Sequence, residues 1–321
     1  LRFFIQIFKN EFLEPTFRVL HMNLSQKIDV IDYQKNPLDF EKHYLKTQTP
    51  VIIKGLTKET GAEKKWSLSY FKNTMGDILL DIYDNGNSSA SASAYTSTDL
   101  KMKFKDYLNI IEKNEPTDLR IFLCNLFKYN PELSKDFPCP SIFKGLLDHK
   151  GFMFFGGKNT TVRIHYDIDM SNVLHTHFGG RKKVLLFAPE YSKVLYRLPF
   201  NTYSLANFDN PDYEKYPALK YVKGYEFILE HGDTLFMPSG YWHYMTYLEG
   251  SFSVSYRQIA PVLNAKMQGV LNLALYLPLD KFLNWMFGDK WLKHKKKIAH
   301  KRAMEEISKI ETKHFEHMVG I

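Results

Sequence analysis

Short runs of β-branched and aromatic residues, separated by glycine, proline and asparagine, recur through the second half of the chain. Such runs are typical of β-strands that end at turns. They predict strands at 50–55, 79–83, 152–157, 162–167, 182–187, 234–237 and 251–258. Several short strands with turn residues between them favour a sandwich or barrel of the jelly-roll kind.

Apolar residues at helical spacing flank this strand-rich region. They predict short helices at 38–45, from Ser67 onward and at 104–111, and the first follows Asn36-Pro37, a pair that suits a helix start. From residue 263 the spacing is helical again, and Pro278 interrupts it. We therefore expect a mainly β fold with some α structure, namely a double-stranded β-helix with N-terminal helices and a C-terminal helical extension.

The chain of 321 residues is 44% hydrophobic and 15% aromatic, which is enough for one large domain with an appended piece. We divide it into an N-terminal extension at 1–24, a β-rich domain at 25–262 and a helical extension at 263–321. The chain starts at Leu1, and we hypothesise that the functional protein begins at Met22. Mass spectrometry of the native N-terminus tests this, and a native chain that begins upstream of Met22 would contradict it.

The charge balance is 43 Lys and Arg against 35 Asp and Glu, a net of +8, and much of the excess lies at 290–302. A basic tail favours an anionic partner such as RNA. The two cysteines, Cys124 and Cys139, are far from CxxC spacing, which favours a reducing, cytoplasmic location. The apolar segment 263–288 contains too many polar residues for a membrane span. Its apolar faces are expected to cover the barrel, form a homodimer interface or lie on a membrane surface, in that order.

The residue types at His165 and Asp167 are those of metal ligands. In a strand, side chains two apart share a face, so this pair can bind one ion together, although a strand histidine bonded to a neighbouring acid explains H-x-D equally simply. His243 follows a turn, an apolar strand and Pro238, so it can reach the same mouth of a barrel. Two imidazoles and one carboxylate form the facial triad of non-haem Fe(II) oxygenases, which leaves metal positions open.

Other polar and aromatic residues extend this interpretation. Lys182 opens the predicted strand 182–187, which we expect beside the strand of His165. There its ammonium would pair with a dicarboxylate, and the alternative is a solvated strand end. His175 and His177 have the spacing of a second metal pair, but we favour a core or pocket role for them. Aromatic residues beside His243 are expected to pack rather than to stack a base, namely Tyr241, Trp242 and Tyr244.

Four ordered motifs carry a resemblance to a known family. They are His165-Tyr166-Asp167 and the segments 180–189, 208–213 and 232–243. Together they resemble the JmjC, cupin-like oxygenases that depend on Fe(II) and 2-oxoglutarate. The similarity spans about residues 28 to 260, and within the family it is nearest to the asparaginyl hydroxylase that inhibits hypoxia-inducible factor.

The resemblance implies Fe(II), 2-oxoglutarate and O2 as cofactor and co-substrates. It implies that His165, Asp167 and His243 are the catalytic metal ligands. It also implies cofactor-binding roles for Lys182, as partner of the distal carboxylate, and for Asn172, Ser255 and Thr161. Three positions depart from the family pattern: Val162 stands where a threonine is common, Phe122 replaces a tyrosine, and Arg257 replaces an aromatic residue of the hypoxia-related enzyme.

The expected reaction is hydroxylation of an unactivated C–H bond on a protein side chain. An RNA nucleoside or a small molecule remains open as substrate. Outside this reaction, a cupin metalloenzyme that does not use 2-oxoglutarate would not need Lys182. A non-catalytic binding module would not need the triad intact.

Overall fold

The computed structural model describes residues 21–35, 40–84, 100–143 and 151–319, and their strands form two sheets. The five-stranded sheet has the order β1 (Asn23–Gln26), β11 (Lys223–Leu229), β10 (Lys182–Phe187), β13 (Trp242–Tyr247) and β8 (Thr161–His165). The nine-stranded sheet has the order β2 (Asp29–Asp32), β3 (Val51–Lys54), β12 (Thr234–Met237), β9 (Asn172–Gly179), β14 (Ser251–Gln258), β7 (Phe152–Gly156), β6 (Leu119–Cys124), β4 (Leu79–Asp84) and β5 (Leu100–Lys103).

Helices lie before, between and after these strands. They are α1 (Gly61–Lys65), α2 (Leu68–Met75), α3 (Phe104–Glu112), α4 (Leu133–Asp136), α5 (Leu263–Leu271), α6 (Leu277–Phe287) and α7 (Asp289–Val319). Shorter helical turns occur at Glu41–Leu45, Leu126–Lys128, Pro189–Ser192, Pro217–Tyr221 and Asn272–Tyr276. No helix in the described part of the chain is long and apolar enough to cross a membrane.

Strand β14 shows how alternation in the sequence builds the layers. Ser251, Ser253 and Ser255 share one face, and the alternating aromatic and aliphatic residues share the other. Phe252 stacks on Phe178 of β9 at 5.5 Å between ring centroids. The apolar face of β14 packs into the core that α2 and α3 also enter, so the N-terminal helices cover this sheet from outside.

The space between the two sheets holds a second, smaller core. Val184 and Leu186 of the five-stranded sheet pack there with Val173, Leu235 and other residues of the nine-stranded sheet. Each fully buried aliphatic side chain of this kind stabilises a fold by about 1.5–3 kcal/mol. The two sheets are therefore joined through their inner faces, as in a jelly roll.

The C-terminal helices are held by a buried charge cluster. Nζ of Lys295 in α7 donates to Oδ1 of Asp280 in α6 at 2.7 Å, and both residues are at most 4% exposed. Nε1 of Trp291 donates to the same carboxylate atom at 2.7 Å, and Asn201 contacts its other oxygen at 3.4 Å. Because Asn201 belongs to the segment between β10 and β11, the cluster ties the helices to the β domain.

The fold class predicted from the sequence is confirmed, with differences in detail. The helix expected at 38–45 is only a π-helical turn at Glu41–Leu45, and Asn36-Pro37 lies outside the described residues. Pro278 does not break the helical segment: α5, the π-helical turn at Asn272–Tyr276 and α6 follow one another without a gap, and Pro278 is the second residue of α6. The π-helical turn directly before it marks the local departure from α-helical geometry. Strand β1 crosses the expected boundary between residues 24 and 25, and residues 1–20 lie outside the described part.

Candidate metal centre

The structure brings the three predicted metal ligands together. His165 is the last residue of β8, Asp167 follows it by two positions, and His243 lies near the start of β13. His165 and His243 are paired across the two strands, and their ring centroids lie 4.2 Å apart. One donor atom from each of the three side chains lies within 4.8 Å of the others. This donor set and spacing fit one divalent metal ion.

Backbone hydrogen bonds orient both imidazoles. Nδ1 of His165 lies 2.7 Å from the carbonyl oxygen of Arg163, and Nδ1 of His243 lies 3.2 Å from that of Tyr241. Because a carbonyl oxygen can only accept, each ring carries its hydrogen on Nδ1 and directs the lone pair of Nε2 into the site. Burial lowers the pKa of both histidines, which keeps the rings neutral and able to ligate.

The carboxylate of Asp167 is held by an arginine. Nη2 of Arg257 donates to Oδ1 of Asp167 at 3.0 Å, and Nη1 donates to Asp169 at 3.0 Å. The side chains of all three residues are between 14% and 18% exposed. One guanidinium therefore fixes two carboxylates, and it leaves the second oxygen of Asp167 for a metal.

A cavity between the two sheets extends from this triad. Polar lining comes from both sheets, with His165, Asp167, His243 and Lys182 on or next to the five-stranded sheet and His175, Ser255 and Arg257 on the nine-stranded sheet. The remaining lining residues are apolar or aromatic: Phe122, Phe154, Val162, Val173, Met237, Met245 and Tyr247. A cavity that combines apolar walls with convergent polar groups is typical of small-molecule sites.

Lys182 is fully buried in this cavity and is not a solvated strand end. Its Nζ contacts Oγ of Ser253 at 2.6 Å and Nε2 of His175 at 3.2 Å, and it lies 4.0 Å from the ring centroid of Tyr247. Burial lowers the pKa of Lys182 well below its ordinary value, and no carboxylate among the described residues opposes that shift. A buried lysine among neutral groups is a binding point for an anion.

We expected the strand of Lys182 to lie beside the strand of His165, and this prediction was wrong. Strand β10 pairs with β11 and β13, so it lies beside the strand of His243, and β13 separates it from β8. The sequence pattern did not show β13 as a strand, because its first residues read as the end of a turn. Lys182 still reaches the cavity that His165 lines.

The other residues expected near the co-substrate are divided between the cavity and its surroundings. Ser255 lines the cavity. Asn172 is buried outside the lining: its amide donates to Gln258 at 3.2 Å and accepts from the backbone of Ser239 at 2.9 Å. Thr161 has a hydrogen-bonding interaction with Tyr244 on the opposite face of β8. Val162 and Phe122, two of the positions that depart from the expected pattern, line the cavity.

One residue of the site had no signal in the sequence. The ring of Tyr203 stacks on His165 at 5.2 Å between centroids and an angle of 13°. It comes from an irregular segment that forms an isolated bridge with His165, so periodicity does not predict it. The aromatic residues beside His243 are packed, as expected: Trp242 is fully buried and donates to Ser192 at 3.0 Å.

Comparison with known proteins places these features in context. The sequence profile of a family described as a cupin-like domain matches residues 37–257. JmjC domain-containing protein D of Dictyostelium discoideum is 31% identical over 246 residues, which are 67% of this chain and 53% of that protein. Lysine-specific demethylase 8 of Danio rerio is 31% identical over 232 residues, which are 68% of this chain and 55% of that protein.

The name of a third relative refers to a different kind of molecule, tRNA. The tRNA wybutosine-synthesizing protein 5 of Gallus gallus is 28% identical over 212 residues, which are 60% of this chain and 65% of that protein. The chain thus spans between 53% and 65% of the length of these three relatives.

Proposed function

The chain belongs to the cupin-like, JmjC-type family, and on that premise we propose that it is an Fe(II)- and 2-oxoglutarate-dependent oxygenase that hydroxylates a C–H bond. The observation that carries the proposal is the presence of two complementary features in one cavity. Two neutral histidines and a carboxylate have donor atoms within 4.8 Å of one another, and a fully buried lysine without a described carboxylate partner lines the same space.

Each group has a defined task in this proposal. His165, Asp167 and His243 would hold Fe(II), which with 2-oxoglutarate and O2 supplies the oxidising chemistry. Lys182 binds and orients the distal carboxylate of the co-substrate by charge-assisted hydrogen bonding. Arg257 holds Asp167 in place, and the apolar residues around the site, such as Val162 and Met245, exclude water.

A protein side chain is the substrate class that we propose. Support comes from the similarity to lysine-specific demethylase 8, which by its name acts on lysine. Arg257, which bonds Asp167, stands where the hypoxia-related hydroxylase is expected to have an aromatic residue. The proposal therefore does not extend to the substrate of that enzyme.

RNA is the second candidate, and two observations favour it. One relative is named for tRNA wybutosine synthesis. In addition, four exposed lysines lie on one side of helix α7, namely Lys290, Lys293, Lys297 and Lys301. Basic surfaces of this kind bind phosphate backbones. A cupin enzyme without 2-oxoglutarate and a non-catalytic binding module remain as the alternatives to an oxygenase.

Turnover of 2-oxoglutarate to succinate tests the proposal. The purified chain is incubated with Fe(II), ascorbate and 2-oxoglutarate in air, and succinate is quantified for the wild type, His165→Ala and Lys182→Ala. We expect succinate from the wild type and at least a tenfold loss in each variant. Absence of both 2-oxoglutarate binding and succinate formation in the wild type would remove the oxygenase proposal.

A further inference from the structure

Lys182 is the centre of a network of buried hydrogen bonds with two branches. On one side Nζ contacts Oγ of Ser253, which in turn lies 3.0 Å from Nδ1 of His177. On the other side Nζ contacts Nε2 of His175, and Nδ1 of that ring lies 2.7 Å from Oγ of Ser255. Every one of these five side chains is at most 4% exposed. Of the two histidines, only His175 lines the cavity.

The directions of these hydrogen bonds follow from the ammonium form of Lys182, which a bound carboxylate favours. An ammonium group can only donate, so Nε2 of His175 accepts and Nδ1 carries the ring hydrogen. Nδ1–H then donates to Oγ of Ser255. The hydroxyl hydrogen of Ser255 is not used in that bond, and Ser255 lines the cavity.

In the second branch of the network the histidine accepts at Nδ1 instead of donating there. Oγ of Ser253 accepts from Lys182 and donates to Nδ1 of His177. Nε2 of His177 lies 2.5 Å from the carbonyl oxygen of Gly180, which can only accept. His177 therefore carries its hydrogen on Nε2, and two histidines two residues apart on β9 are opposite tautomers.

We propose that His175 is a positioning residue for the co-substrate: it fixes the ammonium of Lys182 and makes the hydroxyl of Ser255 a donor toward the cavity. The inference rests on the proposed function. It also accounts for the apolar character of Val162 and Phe122, since the two donors that bind the carboxylate, Lys182 and Ser255, come from β10 and β14 rather than from β6 and β8.

The binding test compares two ligands on one protein. Calorimetry measures the affinities of 2-oxoglutarate and of 2-oxobutanoate, which lacks the distal carboxylate, for the Mn(II)-loaded chain without O2. Their ratio reports on the distal carboxylate and cancels damage common to both ligands. We expect His175→Phe to lower the ratio about tenfold, which corresponds to one well-placed hydrogen bond.

Two further variants make the binding test specific. His175→Gln keeps an acceptor and a donor and is expected to recover most of the ratio. Thr176→Val removes a buried hydroxyl on the opposite face of the same strand, where it bonds to Thr234 at 2.9 Å, and is expected to leave the ratio unchanged. If the wild type prefers 2-oxoglutarate and His175→Phe keeps that preference, only this inference is overturned. A wild type that binds neither oxo acid overturns the proposed function and this inference together.

A second measurement needs no variant and is independent of catalytic turnover. Nitrogen-15 NMR of histidine in the Zn(II)-loaded, 2-oxoglutarate-bound wild type reports which ring nitrogen carries the hydrogen. We expect the hydrogen on Nδ1 of His175 and on Nε2 of His177. A hydrogen on Nε2 of His175 would overturn the inference, because that ring could not accept from Lys182.

Discussion

His165 and His243 face each other across β8 and β13, with ring centroids 4.2 Å apart, and each ring is fixed by the carbonyl oxygen of the residue two positions earlier in the chain. The spacing of the two imidazoles is thus set by strand register rather than by loops. A shift of one residue in that register would turn one ring away from the cavity. The relative position of the two imidazoles therefore depends on the pairing of β8 with β13.

Lys182 is expected to contribute to 2-oxoglutarate binding but not to the stability of the fold. Lys182→Met replaces a buried ammonium by an apolar group of similar length, and such replacements are often neutral or stabilising. We predict an unchanged or higher free energy of unfolding in urea together with about a 10- to 100-fold weaker affinity for 2-oxoglutarate by calorimetry. Lys183→Met, on the next residue and only half-buried, is the control. A variant that loses stability but binds normally would contradict this prediction.

The buried histidines should make the metal-free protein sensitive to acid. Burial lowers the pKa of His177 in the folded state, and nearby Lys182 lowers it further. The unfolded chain then binds a proton that the folded chain does not, so stability is full above about pH 6.5 and falls as the pH drops toward the folded pKa.

Urea unfolding in EDTA at several pH values between 7.5 and 5 measures this dependence. We predict that His177→Asn reduces the slope of the free energy of unfolding against pH by up to about 1.4 kcal/mol per pH unit. Thr176→Val, a buried change on the same strand that removes no titratable group, should leave the slope as it is. Equal slopes in the wild type and His177→Asn would show that this histidine does not titrate as proposed.

The cluster around Asp280 should determine whether the C-terminal helices stay attached. Asp280→Ala leaves the ammonium of Lys295 buried without its partner, a change that typically costs about 3–5 kcal/mol. We predict a loss of that size in urea unfolding and faster proteolysis within α6 and α7. The double variant Asp280→Leu, Lys295→Met removes both charges and should recover most of the loss. A small effect of Asp280→Ala alone would contradict the proposed attachment.

The helices α5 and α6 expose a concentration of large apolar side chains. Trp285 is 81% exposed, Leu263 68% and Val270 63%. Patches of this kind are rare on monomers, and we propose that a second copy of the chain covers this one. Light scattering should give the mass of a dimer for the wild type and of a monomer for Trp285→Glu, with Phe315→Glu as the control on α7. A monomeric wild type would contradict the proposal.

The fold class and the chemistry of the triad could be predicted from local patterns. The strands that carry alternating or β-branched residues, such as β14, were visible because their two faces differ in polarity. Strand β9 was not predicted: its sequence places histidines and aliphatic residues side by side, and all but its last residue are buried. A strand buried on both faces loses the alternation that identifies it.

Pairings over long distances could not be read from the sequence. The position of β13 between β8 and β10, the stacking of Tyr203 on His165 and the bridge from Arg257 to Asp167 all join segments far apart in the chain. Residue type indicates what a side chain can bind, but tertiary packing decides which partner it meets. The family resemblance placed Ser255 near the co-substrate, and its hydrogen bond to His175 became visible only in the structure.

Metal binding by the triad is the most direct test of the account. Anaerobic calorimetry with Mn(II) measures stoichiometry and affinity for the wild type, His243→Ala, Asp167→Asn and Asp169→Asn. The last variant is the matched control, because Asp169 shares Arg257 with Asp167 but lies outside the triad. We predict one ion per wild-type chain, retained in Asp169→Asn and lost or weakened at least 100-fold in the other two. Equal affinity in the wild type and in His243→Ala would contradict the central claim.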